Sequence, residues 1–293
     1  MKTLVTGGAG FVGSNLVDIL VALGDDVLVI DDMSSESASE ENYNERASYW
    51  TGDVCDIRLI EESEGRFDRI FHLAGKARIQ PSFDNPTEYF WSNAMGTQAV
   101  MEYARRTNSG IVVYSTTSSK NHGSDYITPY TYSKVVGEGI LKTYSHCYDI
   151  NCAMATFYNV YGYREPRKGE WATVVAKFGR QFSEGENLTV VGDGSQTRDF
   201  THVGDICQGL IKISEGSWKA HNFDLGRGEP ISILDVAKMW TSESYNEDRI
   251  EYVELRKNEG QHTISEWKKT ESLLRWRAKN NLKDYIKEQK NEL

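Results

Sequence analysis

A glycine-rich segment near the start of the chain constrains the fold more than any other stretch of the sequence. The apolar pair Leu4–Val5 leads into three glycines, each separated from the next by two residues, and an apolar helical pattern then runs to Leu23. The glycines are Gly7, Gly10 and Gly13. This order predicts a strand, a tight turn and a helix, in which the second glycine exposes the backbone to a pyrophosphate and the third allows close packing. Because the N–H groups at a helix N-terminus bind phosphate, the segment predicts dinucleotide binding, the alternative being a purely structural turn.

An acidic pair ends the second predicted strand, residues 26–30. Asp31 and Asp32 lie roughly twenty residues past the glycines, where an acid binds the ribose hydroxyls of a dinucleotide. A carboxylate at Asp31 repels a 2′-phosphate, so the sequence favours NAD over NADP. The polar stretch 34–48 that follows is either a loop over the adenosine end of the cofactor or a plain solvated linker.

Strands alternate with helical patterns through the first half of the chain. The segment 49–54 is predicted to be the end of the third strand, with Asp53 placed to meet the adenine of the dinucleotide. Further strands are predicted over 69–75, 111–114 and 152–157, and a helix is predicted over about 87–106. This alternation predicts an α/β fold of the Rossmann type, a doubly wound parallel sheet with helices on both faces.

The composition and the pattern of the sequence change after Gly162. Charged and aromatic residues become denser there, and the alternation of strands and helices fades. We therefore predict an NAD-binding domain of residues 1–162, to which about 202–225 return. A smaller, discontinuous α/β domain for the substrate is predicted over 163–201 and 226–293.

Composition excludes several classes of protein. The net charge of −10 argues against a nucleic-acid partner, because a phosphate-binding surface usually makes a domain basic. No apolar run approaches the length of a membrane span. The four cysteines show no C-x-x-C pairing, so they predict reduced thiols in a cytoplasmic protein and indicate neither a disulfide framework nor a metal site.

Tyr130 and Lys134 are four residues apart in a segment with a helical pattern, which places both side chains on one face. A tyrosine with its ordinary pKa of about 10 is a poor base at neutral pH, but a neighbouring ammonium favours the phenolate. The polar cluster Ser115–Ser119, after the fifth predicted strand, supplies hydroxyl groups. Taken alone, the pair is equally consistent with an exposed helix pair, and the cluster with a solvated loop. His72 lies within an apolar strand and is interpreted as a core histidine.

These features follow one another in a recognisable order. The series is the glycine segment, Asp31, Asp53–Val54, Leu73–Gly75, Asn93–Thr97, Ser115–Thr117, Tyr130–Lys134, Phe157–Gly162 and Gly192–Val203. It resembles the extended short-chain dehydrogenase/reductases. Within them, the chain is most similar to the NAD-dependent nucleotide-sugar epimerase/dehydratase family, particularly its UDP-sugar 4-epimerases, and the motifs cover nearly the whole chain.

The resemblance implies roles for individual residues. Tyr130 is expected to be the catalytic base, Thr117 to hydrogen-bond the reacting hydroxyl, and Lys134 to bind the nicotinamide ribose. The residues expected to bind NAD are Gly7, Gly10, Phe11, Val12, Asp31, Asp32, Asp53, Val54, Leu73, Ala74, Gly75, Lys76, Asn93, Ser115, Tyr130, Lys134 and Phe157. The residues expected to bind the UDP-sugar are Thr117, Tyr130, Asn159, Arg198, Arg256 and Arg78. The three arginines have alternatives as ordinary ion-pairing, helix-capping or surface residues.

The resemblance implies NAD-dependent 4-epimerisation of a UDP-sugar through a transient 4-keto intermediate. In this family the dehydratases carry an Asp-Glu pair after the catalytic threonine and the decarboxylating relatives a Glu, whereas this chain has Ser118–Ser119. The alternatives are an NAD(P)H-dependent reductase or other modification of a nucleotide-sugar, such as dehydration, and a non-catalytic NAD-binding protein.

Two matters are less constrained by the sequence. The loop 118–129 is shorter than in the relatives, which leaves the identity of the sugar open. Lys120 or His122 in this loop could contact an acidic sugar; the alternative is that the segment is a shortened surface loop without such a contact. A homodimer formed by the helices near Asn93 and Tyr130 is expected by analogy.

Overall fold

The structure, a computed structural model, describes residues 1–121, 128–169, 171–241, 249–255 and 260–292. Its strands are β1 (Lys2–Thr6), β2 (Asp26–Asp31), β3 (Ser48–Thr51), β4 (Arg69–His72), β5 (Ile111–Thr117), β6 (Cys152–Phe157), β7 (Asn159–Tyr161), β8 (Leu188–Val191), β9 (Thr197–His202), β10 (Lys219–Leu225), β11 (Pro230–Ser232) and β12 (Ile250–Val253). Its α-helices are α1 (Phe11–Ala22), α2 (Glu61–Glu64), α3 (Gln80–Asp84), α4 (Pro86–Phe90), α5 (Gly96–Thr107), α6 (Pro129–Tyr148), α7 (Val174–Ser183), α8 (Val203–Ser214), α9 (Ile233–Thr241), α10 (Trp267–Leu274) and α11 (Leu282–Glu292).

Seven of the described strands form one parallel sheet in the order β10-β6-β5-β4-β1-β2-β3. Parallel sheets are covered by helices on both faces, so their strands are nearly continuous apolar runs. Two neighbouring residues of β1 show this arrangement. Leu4 packs with α5 and α6 on one face, whereas Val5 packs with α1 and α8 on the other. The predicted doubly wound sheet of the Rossmann type is confirmed.

Six strands of this sheet lie where the sequence predicts them, but some of their ends differ: β4 ends at His72 and not at Gly75, and β5 continues to Thr117. β3 ends at Thr51, so Val54 begins a short 3-10 helix instead of ending a strand. The seventh strand, β10, is not predicted, because its segment mixes polar and apolar residues, as suits its place at the edge of the sheet beside β6. α8 packs against α1 on the same sheet, although the domain boundaries themselves stay a prediction.

The helix predicted over 87–106 is interrupted. α4 leads into a π-helical turn at Trp91–Met95, and α5 begins only at Gly96. Such π-helical turns are frequent at functional sites. The C-terminal helical segment is divided into α10 and α11, because Arg275 adopts a left-handed conformation, with φ of 51°, and ends α10.

A separate apolar cluster lies outside the large sheet. It joins α7, α9 and α11 to the short strands through Phe178, Leu188, Trp240 and Ile286. β8 pairs with β12, and β9 lies between β7 and β11. This cluster stabilises the part of the chain that the sequence predicts to hold the substrate.

None of the helices described is both long and apolar enough to cross a lipid bilayer. All four cysteines are free thiols. Cys152 is buried, and burial raises its pKa to about 11, so this thiol is unreactive at neutral pH.

Candidate active site

A cleft of about 1080 Å³ lies over the carboxyl ends of the parallel strands, where open α/β sheets bind their ligands. Its lining includes every predicted NAD-binding residue other than Asn93, namely Gly7, Gly10, Phe11, Val12, Asp31, Asp32, Asp53, Val54, Leu73, Ala74, Gly75, Lys76, Ser115, Tyr130, Lys134 and Phe157. It also includes the predicted substrate residues Arg78, Thr117, Asn159 and Arg198. Arg256 lies outside the described residues.

The three glycines of the first segment have the geometry that the sequence predicts. Gly7 turns with φ of 74°, and a Cβ there would lie 2.7 Å from the backbone nitrogen of Ala74. A Cβ on Gly13 would lie 2.0 Å from the carbonyl oxygen of Gly7, so only glycine allows α1 to pack this closely on β1. A Cβ on Gly10, the N-cap of α1, would make ordinary van der Waals contacts with the Gly7 carbonyl oxygen at 3.6 Å and Ser37 Oγ at 3.7 Å. This cradle fits a pyrophosphate at the helix N-terminus.

The loop after β2 closes over this cradle. The backbone N–H of Phe11 donates to Ser37 Oγ at 3.3 Å, and the amide of Asn42 donates to the Ala9 carbonyl at 2.9 Å. These contacts favour the interpretation of residues 34–48 as a loop over the cofactor. Ser37 lines the cleft, yet nothing in the sequence singles it out from the serines around it.

Asp31 ends β2 at the rim of the cleft. Its two carboxylate oxygens accept hydrogen bonds from the backbone N–H groups of Ala9 and Met33, both at 2.9 Å. Burial raises the pKa of this carboxyl, and the two N–H groups partly offset that rise. Since each oxygen has a second lone pair, the carboxylate can also accept from ribose hydroxyls.

Asp53 meets an aromatic residue that the sequence analysis did not connect with it. The carboxylate accepts from Cys55 N–H at 2.8 Å and from the indole N–H of Trp91, in the π-helical turn, at 2.9 Å. Burial alone would raise the pKa of Asp53, but these donors bring it below its ordinary value. The adenine end of the predicted cofactor site is therefore bounded by an ionised carboxylate and an indole.

Tyr130 and Thr117 meet in the cleft. Both side chains line the cleft, and the Thr117 oxygen accepts from Ser119 N–H at 3.1 Å. Burial raises the pKa of Tyr130, while the Thr117 hydrogen bond and the Arg78 guanidinium lower it. Arg78 is thus a cation that favours the phenolate and that the sequence did not indicate, while the expected effect of Lys134 stays a prediction.

Lys134 lies at the floor of the cleft. Its ammonium donates to the Ser115 carbonyl at 3.1 Å and lies over the Tyr114 ring, 4.9 Å from the centroid. Burial lowers the pKa of this ammonium to about 8, and the carboxylate of Glu138 raises it. With a pKa of about 8, this ammonium is mostly protonated at neutral pH.

A small recess beside Lys134 fits a ribose hydroxyl. A Cβ on Gly75 would lie 2.5 Å from Asn93 Oδ1 and 3.0 Å from Lys134 Nζ, so glycine keeps this recess open. Asn93 itself lies beneath the cleft wall, where its amide nitrogen donates to the Lys76 carbonyl at 3.0 Å. Among the residues described, nothing donates to its buried Oδ1. The ammonium of Lys76 pairs with Glu88 at 3.1 Å, so its contact with the cofactor stays a prediction.

His72 is a core histidine, in agreement with the interpretation from the sequence. Its Nδ1 lies 2.8 Å from the Thr6 hydroxyl and its Nε2 lies 3.0 Å from that of Thr97. Because Thr97 donates to the Asn93 carbonyl, its oxygen accepts from Nε2–H, and Nδ1 accepts from Thr6. Burial, with a smaller effect of Lys134, lowers the pKa of His72 to about 3, so the ring is neutral.

Arg198 is held in the cleft wall by backbone carbonyls. Its guanidinium donates to the carbonyl oxygens of Thr197 at 3.0 Å and Gln261 at 3.4 Å. The neighbouring Asp199 carboxylate accepts instead from backbone N–H groups of other segments, including Ser265 at 3.0 Å. Asn159 donates to the Asp199 carbonyl at 3.4 Å, so the backbone of residues 197–199 contacts both predicted substrate residues.

Arg78 joins the two sides of the cleft. It adopts a left-handed backbone conformation, with φ of 82°, and its Nε and Nη2 donate to the Trp171 carbonyl at 3.1 and 2.6 Å.

Trp171 and Lys177 line the cleft but were not identified from the sequence, since no motif or spacing marks them. Lys120 has a different partner from the acidic sugar suggested for it: its ammonium pairs with Glu138 at 2.5 Å. His122 lies outside the described residues.

Comparison with known proteins agrees with this geometry. The NAD dependent epimerase/dehydratase family matches residues 3–226. The chain is 30% identical to a putative UDP-glucose 4-epimerase of Methanocaldococcus jannaschii over 97% of this chain and 95% of that protein. It is 35% identical to a UDP-glucose 4-epimerase of Mycolicibacterium smegmatis over 80% of each. A crystal structure of the Thermotoga maritima UDP-glucose 4-epimerase with UDP-glucose has a TM-score of 0.92 and 27% identity, covering 100% of this chain and 99% of that one.

Because the family match covers most of the chain, and full-length relatives share both sequence and fold, the chain belongs to the NAD dependent epimerase/dehydratase family.

Proposed function

We propose that the chain catalyses NAD-dependent 4-epimerisation of a UDP-sugar through a transient 4-keto intermediate. The observation that carries this proposal is that Tyr130 and Thr117 line one cleft together with Ser118–Ser119. The relatives that remove water or carbon dioxide place carboxyl groups after the threonine. Inversion of one carbinol carbon needs only a base that takes one proton and returns it.

Different residues of the cleft are proposed to bind the cofactor, transfer the proton and orient the sugar hydroxyl. Tyr130, as the phenolate, accepts the proton of the C4 hydroxyl, while Thr117 hydrogen-bonds the same oxygen. Arg78 favours the phenolate through its charge, and Lys134 binds the nicotinamide ribose beside Gly75. Bound NAD supplies the acceptor and donor of hydride. The keto sugar then rotates in the cleft and presents its other face, and Tyr130 returns its proton to the C4 oxygen of the opposite epimer.

The nucleotide-sugar is held on the other side of the cleft. The Arg198 guanidinium is suited to the diphosphate, because its fork matches a pair of phosphate oxygens. Asn159 lies beside it and contacts the same ligand. Arg78 lies nearer Tyr130 and is proposed to contact the sugar, and Arg256 keeps its predicted role as a second phosphate ligand. The choice of a UDP-sugar is supported by the names of the similar proteins.

The direct test is interconversion of candidate sugars by the purified protein. UDP-glucose, UDP-galactose, their N-acetyl forms and UDP-glucuronate are incubated separately, and products are followed by NMR and mass. Epimer formation without added cofactor supports the proposal. Product formation only with added NAD(P)H indicates a reductase, and loss of the mass of water indicates a dehydratase. No reaction and no reduction of bound cofactor by any sugar indicates a non-catalytic protein.

We also propose that the protein is a homodimer. Trp91 and Met95 in the π-helical turn and Tyr132 on α6 are each about half exposed, and the two segments pack together. Exposed apolar side chains grouped in this way are typical of an interface. A cytoplasmic location is proposed on the four free thiols.

The predicted division into domains is retained as a proposal. It is supported by the apolar clusters, because two of them cover the two faces of the large sheet and the third includes none of its strands. The NAD-binding part then comprises 1–162 and about 202–225, and the substrate-binding part 163–201 and 226–293.

A further inference from the structure

Thr117 leads directly into a short turn that holds its hydroxyl group. Thr117 ends β5, and the 3-10 turn Ser118–Asn121 follows it without an intervening residue. The backbone N–H of Ser119 in this turn donates to Thr117 Oγ1 at 3.1 Å. A hydroxyl oxygen that accepts from an N–H can still donate its own hydrogen, so the turn occupies one lone pair and leaves the O–H to donate to a ligand in the cleft.

A buried carboxylate on α6 contacts the chain on both sides of this hydrogen bond. Glu138 is 7% exposed, and its Oε1 accepts from the Thr116 hydroxyl and from the Lys120 ammonium, both at 2.5 Å. Thr116 immediately precedes Thr117, and Lys120 immediately follows Ser119. The carboxylate therefore ties the segment that orients the Thr117 hydroxyl to the helix that carries Tyr130.

The tie between Lys120 and Glu138 is charge-assisted and largely shielded from water. Their side chains are 16% and 9% exposed. Hydrogen bonds between ionised groups are about twice as strong as those between neutral groups, whereas an exposed ion pair fixes little. The pair is thus suited to hold the turn against α6, on which Tyr130 lies about two helical turns before Glu138.

We infer that Lys120 and Glu138 are positioning residues for Thr117, whose hydroxyl they hold toward the sugar oxygen that Tyr130 deprotonates. This inference deepens the proposed function and rests on it for its kinetic consequence. Both residues lie outside the lining of the cleft and border a separate polar depression, so their effect on the reaction is expected to pass through Thr117. As the C4 oxygen changes from hydroxyl to carbonyl, a fixed donor stabilises the charge that develops on it.

The test is a double-mutant cycle on kcat, with the UDP-sugar selected in the interconversion screen. Thr117→Val keeps the shape of the side chain and should lower kcat by about 10²–10³. Lys120→Met should lower kcat about 10- to 100-fold, with KM and bound NAD unchanged, because a misplacement of about 1 Å costs that much. In the Thr117→Val background, Lys120→Met should change kcat by less than about twofold, since the group that it positions is already absent.

Three further variants separate positioning from the effects of charge. Lys120→Arg keeps the ion pair and should retain most of kcat. The double variant Lys120→Met, Glu138→Gln leaves no unpaired charge but still lacks the ion pair, so its kcat should stay low. Lys142→Met, at an exposed lysine one turn beyond Glu138 on α6, should leave kcat unchanged.

A loss of kcat of equal size in both backgrounds would overturn the inference, because the pair would then act independently of Thr117. No loss in Lys120→Met would overturn it as well. So would recovery of activity in the charge-free double variant, since the unpaired carboxylate would then be the cause of the loss. If Lys120→Met does not fold, as judged by thermal unfolding, the charge-free double variant takes its place in the cycle.

A measurement without sugar distinguishes this inference from the proposed function. The threonine methyl groups are labelled for NMR, and the Thr117 signal is identified by its absence in Thr117→Val. The order parameter of this methyl group should fall in Lys120→Met and stay the same in Lys142→Met. A protein without epimerase activity would refute the proposed function, whereas an unchanged Thr117 order parameter in Lys120→Met would overturn the positioning inference.

Discussion

At the scale of single residues, the proposed function depends most on the phenol of Tyr130. Tyr130→Phe removes the proton acceptor and keeps the ring, so kcat should fall by about 10²–10⁴ while NAD content and thermal unfolding stay unchanged. The matched control is Tyr132→Phe, two residues along the same helix, where the side chain is exposed and should not matter. Comparable activity in the two variants would show that the base has been assigned to the wrong tyrosine.

Arg78 allows a prediction about pH. Its charge lowers the pKa of Tyr130, so Arg78→Gln should raise that pKa. The active form is the phenolate, and activity rises as pH passes upward through the phenol pKa. The acid limb of kcat should therefore move to higher pH in the variant, with activity partly recovered in alkaline buffer. Arg66→Gln, which removes an exposed arginine, controls for net charge; equal behaviour of both variants would exclude a specific effect of Arg78.

The sequence predicts the role of a single residue where only one residue type fits the local backbone geometry. Gly7 is required by its positive φ and by the nearby backbone of Ala74, and Gly13 by the carbonyl of Gly7; their spacing in the sequence reveals both. The contact between Arg78 and the Trp171 carbonyl joins residues 93 positions apart, and it depends on a left-handed arginine that no pattern announces. The sequence therefore indicates Lys134, the cation nearest along the helix, and gives no sign of Arg78.

At the scale of elements, the start of α1 is the most tightly packed helix terminus of the cofactor site. Gly13→Ala should displace it, because the new Cβ would lie 2.0 Å from the Gly7 carbonyl oxygen, and such overpacking costs about 1–3 kcal/mol. Gly139→Ala is the matched control: it lies in α6 with nothing within 4 Å of its Cβ and should stabilise the protein by up to about 1 kcal/mol. Tm and bound NAD should both fall in the first variant only. A Gly13→Ala protein that retains NAD would contradict the close-packing argument.

Elements follow the sequence closely where hydrophobic periodicity is uninterrupted. β1, β2, β4, β5 and β6 are mostly buried, and each contains at least two consecutive apolar residues. β10 lies at the sheet edge and lacks that signal. The π-helical turn at Trp91–Met95 is also invisible to periodicity, because it inserts one residue to bring Asn93 beneath the cleft and Trp91 to Asp53. The sequence pattern records which residues are apolar, but not this change in helical pitch.

At the scale of the whole molecule, the cleft and the proposed dimer face share one element. The π-helical turn supplies Trp91, whose indole binds Asp53 at the predicted adenine end, and Met95, which is 47% exposed beside it. Charge buried in an apolar interface is costly, so Met95→Lys should give monomers by light scattering at concentrations where the unmodified chain is dimeric. Leu273→Lys, at a residue of 46% exposure on α10, should leave the dimer intact. If both variants remain dimeric, the interface lies elsewhere; if Met95→Lys is monomeric and also loses NAD more readily, the turn couples assembly to the cofactor site.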